Sequence, residues 1–395
     1  MSPIGSSVRR RRRALAAAAA VAALAVTATA CGPEDDGADS KPSESSSQQP
    51  ESDLKEDLGL PDKLPDDLPD SLKDLEKWKN GGWKNWDKDQ WLREAEDFIN
   101  PIIDDFWNRD RMDDAEENDR KRDVDDSDID QGVTDPVPDP VKAAAVPSPY
   151  TDKAPPVGKI FMETPEGSMV CSGSVVKDPK NPGKSNLVAT AGHCVHGGQG
   201  KGWFRNVVFV PHFNSKGLGQ AELESAPKTD IAPHGVFWAQ HARTTDHWIE
   251  NGATQGGSGA PQDFAVLKVK PEDGGSKSLE ETVGKAVTVN FKTPGVKNIP
   301  TLTARGYPAA PPFTGEKMYA CQDKPSRLSL DTSQPTMYRI GCTMTGGSSG
   351  GPWLSADGTE LLSVTSIGPV QHTWLAGAAL GKEAKGVFDA VGGLS

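Results

Sequence analysis

Residues Gly346 to Trp353 read GGSSGGPW, four glycines around two adjacent serines. A glycine/serine cluster by itself is ordinarily a flexible loop. Two strings upstream give it another meaning. Ala189 to Val195 read ATAGHCV, and Gln262 to Leu267 read QDFAVL. A serine hydroxyl is a poor nucleophile at neutral pH. It needs a base to take its proton and a carboxylate to orient that base. The chain supplies His193, Asp263 and Ser349, in that order. A fold that unites them must join loops far apart in sequence.

The glycines have a mechanical role in this reading. Backbone N–H groups beside a nucleophile can stabilise an oxyanion if the loop turns tightly enough to aim them inward. Gly347 permits an unusual backbone conformation at low steric cost. Gly350 and Gly351 permit close approach of neighbouring chain. The N–H groups of Gly347 and Ser349 are the expected oxyanion hole.

Other readings of the same residues exist. His193, Cys194 and His196 are of metal-ligand type. Adjacent His and Cys rarely converge on one tetrahedral ion, however, and no second Cys/His cluster completes a site. Neither a metal nor a cofactor is expected. Asp230 and Asp246 compete with Asp263 for the carboxylate. Only Asp263 is followed by a strand-like apolar run, Phe264 to Val269.

With these motifs quoted, the chain resembles the trypsin-like (chymotrypsin-fold) serine peptidases, and their bacterial branch in particular, from about Ala154 to the C-terminus. TAGHC is similar to that family's histidine motif, DFAVL to its aspartate motif and GSSGGP to its serine motif. The resemblance implies an all-β fold of two six-stranded antiparallel barrels with a short C-terminal helix, and a site in the cleft between them. His193 would be the general base, Asp263 its orienter and Ser349 the nucleophile of a serine endopeptidase acting on proteins or peptides. A catalytically inactive binding or adhesion module on the same fold is the alternative. Ser348 stands where the animal enzymes carry an aspartate that pairs with a newly cut N-terminus, so that activation switch is not expected here.

The resemblance also places a substrate pocket at Thr343 and Met344, ahead of the serine, and at Ser366, Ile367 and Gly368 after it. No carboxylate lies at its base, which argues against a Lys or Arg preference. Thr365 stands where the glutamate-specific branch has histidine, so that preference is unsupported as well. His372 is near in sequence, but no alignment puts it in the pocket.

The five cysteines are Cys31, Cys171, Cys194, Cys321 and Cys342. Cys171 and Cys194 match the family's histidine-loop disulfide. In an exported enzyme the four cysteines of the domain pair most simply as Cys171–Cys194 and Cys321–Cys342. Export is expected from the N-terminus. Arg9 to Arg13 precede an alanine-rich apolar stretch, Ala14 to Ala30, too short to span a bilayer and suited to a secretory signal. Ala28 to Ala30 before Cys31 suit ordinary cleavage, and they also resemble a lipobox. Cys31, left over by the pairing, is the expected lipid-bearing residue. The expected location is the outer face of the cytoplasmic membrane, with free secretion as the alternative.

The net charge is −13. The acidic excess lies between Gly32 and Tyr150, while the flanking regions are net positive. No basic footprint for nucleic acid appears. We read residues 1–30 as signal, 31–76 as a disordered acidic tether, 77–117 as a Trp-rich helical segment, 118–153 as an acidic Pro-rich linker and 154–395 as the peptidase domain. Trp78, Trp83, Trp86, Trp91 and Trp107 are half the chain's tryptophans, which is why 77–117 stands apart. Trp91, Ala95, Phe98, Ile102 and Phe106 recur at helical spacing, with a kink expected at Pro101. This helix is a candidate pro-segment, a cell-wall or membrane contact, a partner site, or a plain helix in a linker. Within the domain, strands are predicted at 170–177, 207–211, 264–269, 287–291, 302–306 and 361–367, and a helix at 384–391. Val175, Val188 and Val364 read as barrel core.

Overall fold

The computed structural model describes residues 102, 105–118, 121–122, 132–253 and 257–394. The signal segment, Cys31, the tether, and Trp78, Trp83, Trp86 and Trp91 lie outside the described residues. So do Ala95, Phe98 and Pro101 of the predicted helix.

The first half of the domain is a closed barrel of six antiparallel strands. They are β1 (Val157–Thr164), β2 (Gly167–Val176), β3 (Leu187–Thr190), β4 (Arg205–Pro211), β5 (Phe237–Thr244) and β6 (Ala265–Pro271). The ladder runs β2–β1–β4–β5–β6–β3 and closes where β3 pairs with β2. Alternation along a strand decides which side chains fill it. Ile160, Met162, Val175, Val188, Val207, Phe209, Val266 and Leu267 share one core, which the helix Lys382–Val391 caps with Val387, Phe388 and Val391.

The outward side of this barrel is apolar too. Val157, Phe161, Val208, Val210 and Trp238 point the other way and form a second cluster. Such a face must be covered, and chain ahead of the domain covers it. Phe106, Trp107, Met112, Val146 and Tyr150 pack there, each buried. The predicted helix does not reach its last two positions: Ile102 and Phe106 lie outside any helix, and Asp105 has φ 54°. A five-residue helix, Arg109–Asp113, begins instead where the Asn108 side chain accepts the N–H of Arg111. The segment read as linker is likewise packed in part, because Val146 and Tyr150 belong to this cover.

The second half contains β7 (Leu302–Gly306), β8 (Tyr319–Asp323), β9 (Ser326–Leu328), β10 (Met337–Gly341), β11 (Pro352–Leu354), β12 (Glu360–Pro369) and β13 (Trp374–Gly377). The order is β9–β10–β13–β12–β11–β7–β8, all antiparallel. The two barrels expected of an all-β, chymotrypsin-like fold are present, one closed and one open. No ladder joins β8 to β9, so this half is an open half-barrel. The remaining edge of β8 is taken by Ala144–Ala145 from the N-terminal strap. Of the predicted 287–291 strand only Thr288–Val289 forms, in parallel with Glu360–Leu361.

Disulfides join Cys171 to Cys194 and Cys321 to Cys342. The first ties β2 to the turn that carries His193. The second ties β8 to the residue after β10, across the side where the half-barrel is open. They close loops with sequence separations of 23 and 21. For loops of this size the chain-entropy model gives roughly 3 kcal/mol each. Replacing Cys321 and Cys342 together by serine is therefore expected to lower the unfolding free energy by that order, read as a fall in denaturant midpoint. An unchanged midpoint would show that the bridge constrains nothing the core does not already hold.

Candidate active site

His193 sits in the 3₁₀ turn Gly192–Cys194 that follows β3. Asp263 follows the 3₁₀ turn Ala260–Gln262 and precedes β6. Thr190 pairs with Ala265 in the β3–β6 ladder, which sets the two loops side by side. His193 Nδ1 lies 2.6 Å from Asp263 Oδ2, and the His193 backbone N–H donates to Asp263 Oδ1 at 2.9 Å. Ser366 Oγ also donates to Asp263 Oδ2, at 2.7 Å. Both side chains are fully buried. A carboxylate acceptor at Nδ1 assigns the proton to that nitrogen and leaves Nε2 as the acceptor. The competing carboxylates lie elsewhere: Asp230 pairs with Lys216 and Asp246 opens the helix Asp246–Asn251.

Ser349 lies in the loop between β10 and β11. Gly347 and Gly350 have φ of 91° and 73°, in the region that favours glycine. A Cβ on Gly350 would fall 2.1 Å from Thr190 Oγ1 and 2.9 Å from the backbone nitrogen of Ala191. The loop is thus seated against the chain that enters the His193 turn. Ser172 holds it there. Its N–H donates to Ser349 O at 2.8 Å, its Oγ donates to Gly347 O at 2.8 Å, and Oγ accepts the N–H of Tyr307 at 2.9 Å. Sequence reading gave Ser172 no role, although it stands in the CSGSVV segment beside Cys171.

Among the described residues, no hydrogen bond uses the N–H of Gly347 or of Ser349. His193 Nε2 is buried without a partner, and no hydrogen bond joins it to Ser349. Ser348 is buried and donates its hydroxyl to Thr345 O at 2.7 Å, a neutral arrangement with no need of an ion pair.

The residues expected to line a pocket do not gather their side chains on one cavity. Met344 is fully buried in the second-half core with Ile340, Cys342 and Trp353. Ile367 packs in a separate cluster with Leu328, Met337 and Trp374. The Ser366 hydroxyl is committed to Asp263. Thr343 is half-buried and accepts the N–H of Ala143 at 2.9 Å, while Thr365 accepts from Trp353 Nε1 at 2.9 Å. Gly368 lies close to Leu375, whose Cδ2 would be 3.0 Å from an added Cβ. His372 occupies a turn with φ 50° beyond β12.

Cys171, His193 and Cys194 bring their donor atoms within 4.8 Å of one another. The two sulfurs are joined to each other, so neither is a thiolate available to a metal. His196 accepts from Gly198 N–H at 3.0 Å and meets Trp203 edge-on. Burial, then the charge of Arg205, pushes its pKa down to about 3, as for a neutral core histidine.

The seating of the serine loop predicts a contrast between two glycines. Gly350→Ala adds both positive-φ strain and a clash with Thr190. Gly358→Ala adds strain alone, since φ is 74° and nothing lies within 4 Å. Strain alone costs roughly 1–2 kcal/mol. Chemical denaturation should show a distinctly larger loss for Gly350→Ala. Equal losses would mean that the loop is not held against β3.

Residues 171–361 match the family model of the trypsin-like peptidase domain. Among solved structures the chain is similar to the thermostable serine protease AL20 from an extremophilic microorganism. Identity is 29%, the match covers 62% of this chain and 100% of that one, and the TM-score is 0.50. It is also similar to protease Anisep from Arthrobacter nicotinovorans, at 25% identity over 60% of this chain and 96% of that one, with a TM-score of 0.47. A search of curated proteins gives no match. The barrel topology and the likeness to AL20 show a chymotrypsin-like fold, within which residues 171–361 match a trypsin-like peptidase domain.

Proposed function

We propose that the protein is an exported serine endopeptidase that works through Ser349, His193 and Asp263. The observation that carries this reading is the buried His193–Asp263 pair beside a glycine-rich loop bearing Ser349. Ser349 Oγ attacks the scissile carbonyl and passes its proton to His193 Nε2. The new imidazolium is held by Asp263, which Ser366 keeps in place. The N–H groups of Gly347 and Ser349, uncommitted otherwise, take the oxyanion, a contribution of about 2.7–4 kcal/mol per donor. His193 then protonates the leaving amine, and water hydrolyses the acyl-enzyme by the same steps in reverse roles. No carboxylate stands at Thr343, and a charged side chain without a partner is costly to desolvate. Cleavage is therefore expected after small or medium uncharged residues.

The compartment belongs to the same proposal. Two disulfides suit an oxidising environment, residues 1–30 suit a signal, and Cys31 suits a diacylglyceryl anchor. Two acyl chains are enough for stable attachment where one is marginal. Residues 31–76 then serve as a tether. Part of the Trp-rich segment remains a candidate for contact with the cell wall or another protein.

Ser349→Ala should abolish fluorophosphonate labelling and reduce peptide hydrolysis to the level that binding and the oxyanion hole alone sustain, about 10³–10⁴-fold over water. Asp263→Asn should lower kcat by about 10⁴-fold. Near-normal turnover in the Ser349→Ala protein would reject the nucleophile and favour a non-catalytic binding role. For the anchor, the wild-type protein is expected in the membrane fraction and the Cys31→Ser protein in the medium. Soluble wild-type protein with an unmodified Cys31 thiol would refute lipidation.

A further inference from the structure

The chain ahead of the domain does more than cover the barrel. After Arg109–Asp113 it turns toward the catalytic loops. Glu116–Glu117 pairs in parallel with Met169–Val170 at the start of β2, directly before the disulfide-bonded Cys171. The N–H of Asn118 donates to Val170 O, and Asn118 Nδ2 donates to His193 O at 2.8 Å. Asn118 is itself buried. Lys121–Arg122 then pairs in parallel with Gly368–Pro369 at the end of β12. Gly368 lies two residues beyond Ser366, which binds Asp263. The two pairings therefore stand on either side of the site, one against the first barrel and one against the second half. Asn118 and Lys121 are three residues apart, a reach of at most about 11 Å. Asn118 and Lys121 thus lie against the two walls.

Exposure agrees with this placement. His193 is 0% and Ser349 2% exposed. An endopeptidase must admit a polypeptide to its serine, and an extended peptide is ordinarily bound by adding main-chain hydrogen bonds to a free strand edge. Here residues of the same chain already occupy such edges. They are also firmly moored. Phe106 and Trp107 are buried against Phe161 and Trp238, Trp107 Nε1 donates to Asn206 O at 2.6 Å, and Arg109 donates to the carbonyls of Glu224 and Ala226. Arg111 pairs with Glu163 at 3.0 Å. A moored segment competes at the effective concentration of an intramolecular ligand, in the millimolar range for short tethers.

We propose that Glu116–Glu117, Asn118 and Lys121–Arg122 form a blocking strand that occupies the polypeptide-binding groove and holds the enzyme in a masked state. The inference rests on the serine-peptidase reading above. It assigns Asn118 as the residue that locks the strand to the His193 turn. Activity in the intact chain requires displacement of this strand, and the groove is specific for extended polypeptide backbone.

The test uses the full chain. Hydrogen exchange of the wild-type protein should show the Asn118 amide protected, and exchange at the rate of free peptide would overturn the proposal whatever the activity. Asn118→Pro removes both Asn118 hydrogen bonds, and Phe106→Ala loosens the mooring without touching the site. Each variant should label with a fluorophosphonate and cleave casein at least about tenfold faster than wild type, the equivalent of one or two lost hydrogen bonds. Equal rates in wild type and both variants would overturn the blocking strand and leave the peptidase reading intact. Labelling in none of the three proteins would reject the peptidase reading, and the inhibitory role with it.

Discussion

The site depends on how closely the serine loop can approach the turn that carries His193. Backbone meets backbone there, and the contact is possible only because Gly350 lacks a Cβ: one would fall 2.6 Å from Ser172 O and 2.9 Å from the Ala191 nitrogen. Ser172 then holds the two halves in register. Besides its bonds to Ser349, Gly347 and Tyr307, its carbonyl accepts from Thr190 Oγ1 at 2.9 Å. The hydroxyl is fully buried, so the Gly347 carbonyl and the Tyr307 N–H would each be left unpaired, at a cost of about 1–3 kcal/mol, if the side chain were lost. A single small side chain midway along the disulfide-tied strand thus joins the first barrel to the loop that bears Ser349.

A second constraint is the apolar outer wall of the first barrel. A barrel whose strands alternate cleanly between core and solvent needs no cover. This one presents Val157, Phe161, Val208, Val210 and Trp238 outward and buries them under Phe106, Trp107, Val146 and Tyr150. The same strap supplies Ala144–Ala145 to the edge of β8, which is why the second half does not close on itself. The chain before Val157 is thus integral to the packing of the domain. The serine at position 348, satisfied by Thr345 O, agrees with a site that forms without a new N-terminal charge.

Much of the site was legible because short motifs carry it. TAGHC, DFAVL and GGSSGG each report a local backbone geometry as well as a reactive group, and the order of the three restricts the fold. The strands 302–306 and 361–367 were legible from β-branched and apolar runs between turn residues. The packing of the expected pocket residues was not. Met344 and Ile367 lie near the serine and its following strand in sequence, yet alternation sends one into the central core and the other to a separate cluster. The Ser366 hydroxyl binds Asp263, a contact between residues 103 positions apart that no local pattern encodes.

The sequence by itself determined the candidate reactive groups, the glycines around them, the cysteines able to pair and the acidic character of the region ahead of the domain. These follow from residue chemistry and short spacing, which survive without knowledge of the fold. Only the tertiary structure decided that β8 is edged by Ala144–Ala145, that Ser172 joins the two halves, and that Phe106 and Trp107 close the outer wall. It alone pairs Glu116–Glu117 with Met169–Val170 and Lys121–Arg122 with Gly368–Pro369. Strand pairing uses main-chain groups that every residue shares, so partners distant in sequence leave no local signature. Their choice emerges only when the barrel, its disulfide and its cover are in place together.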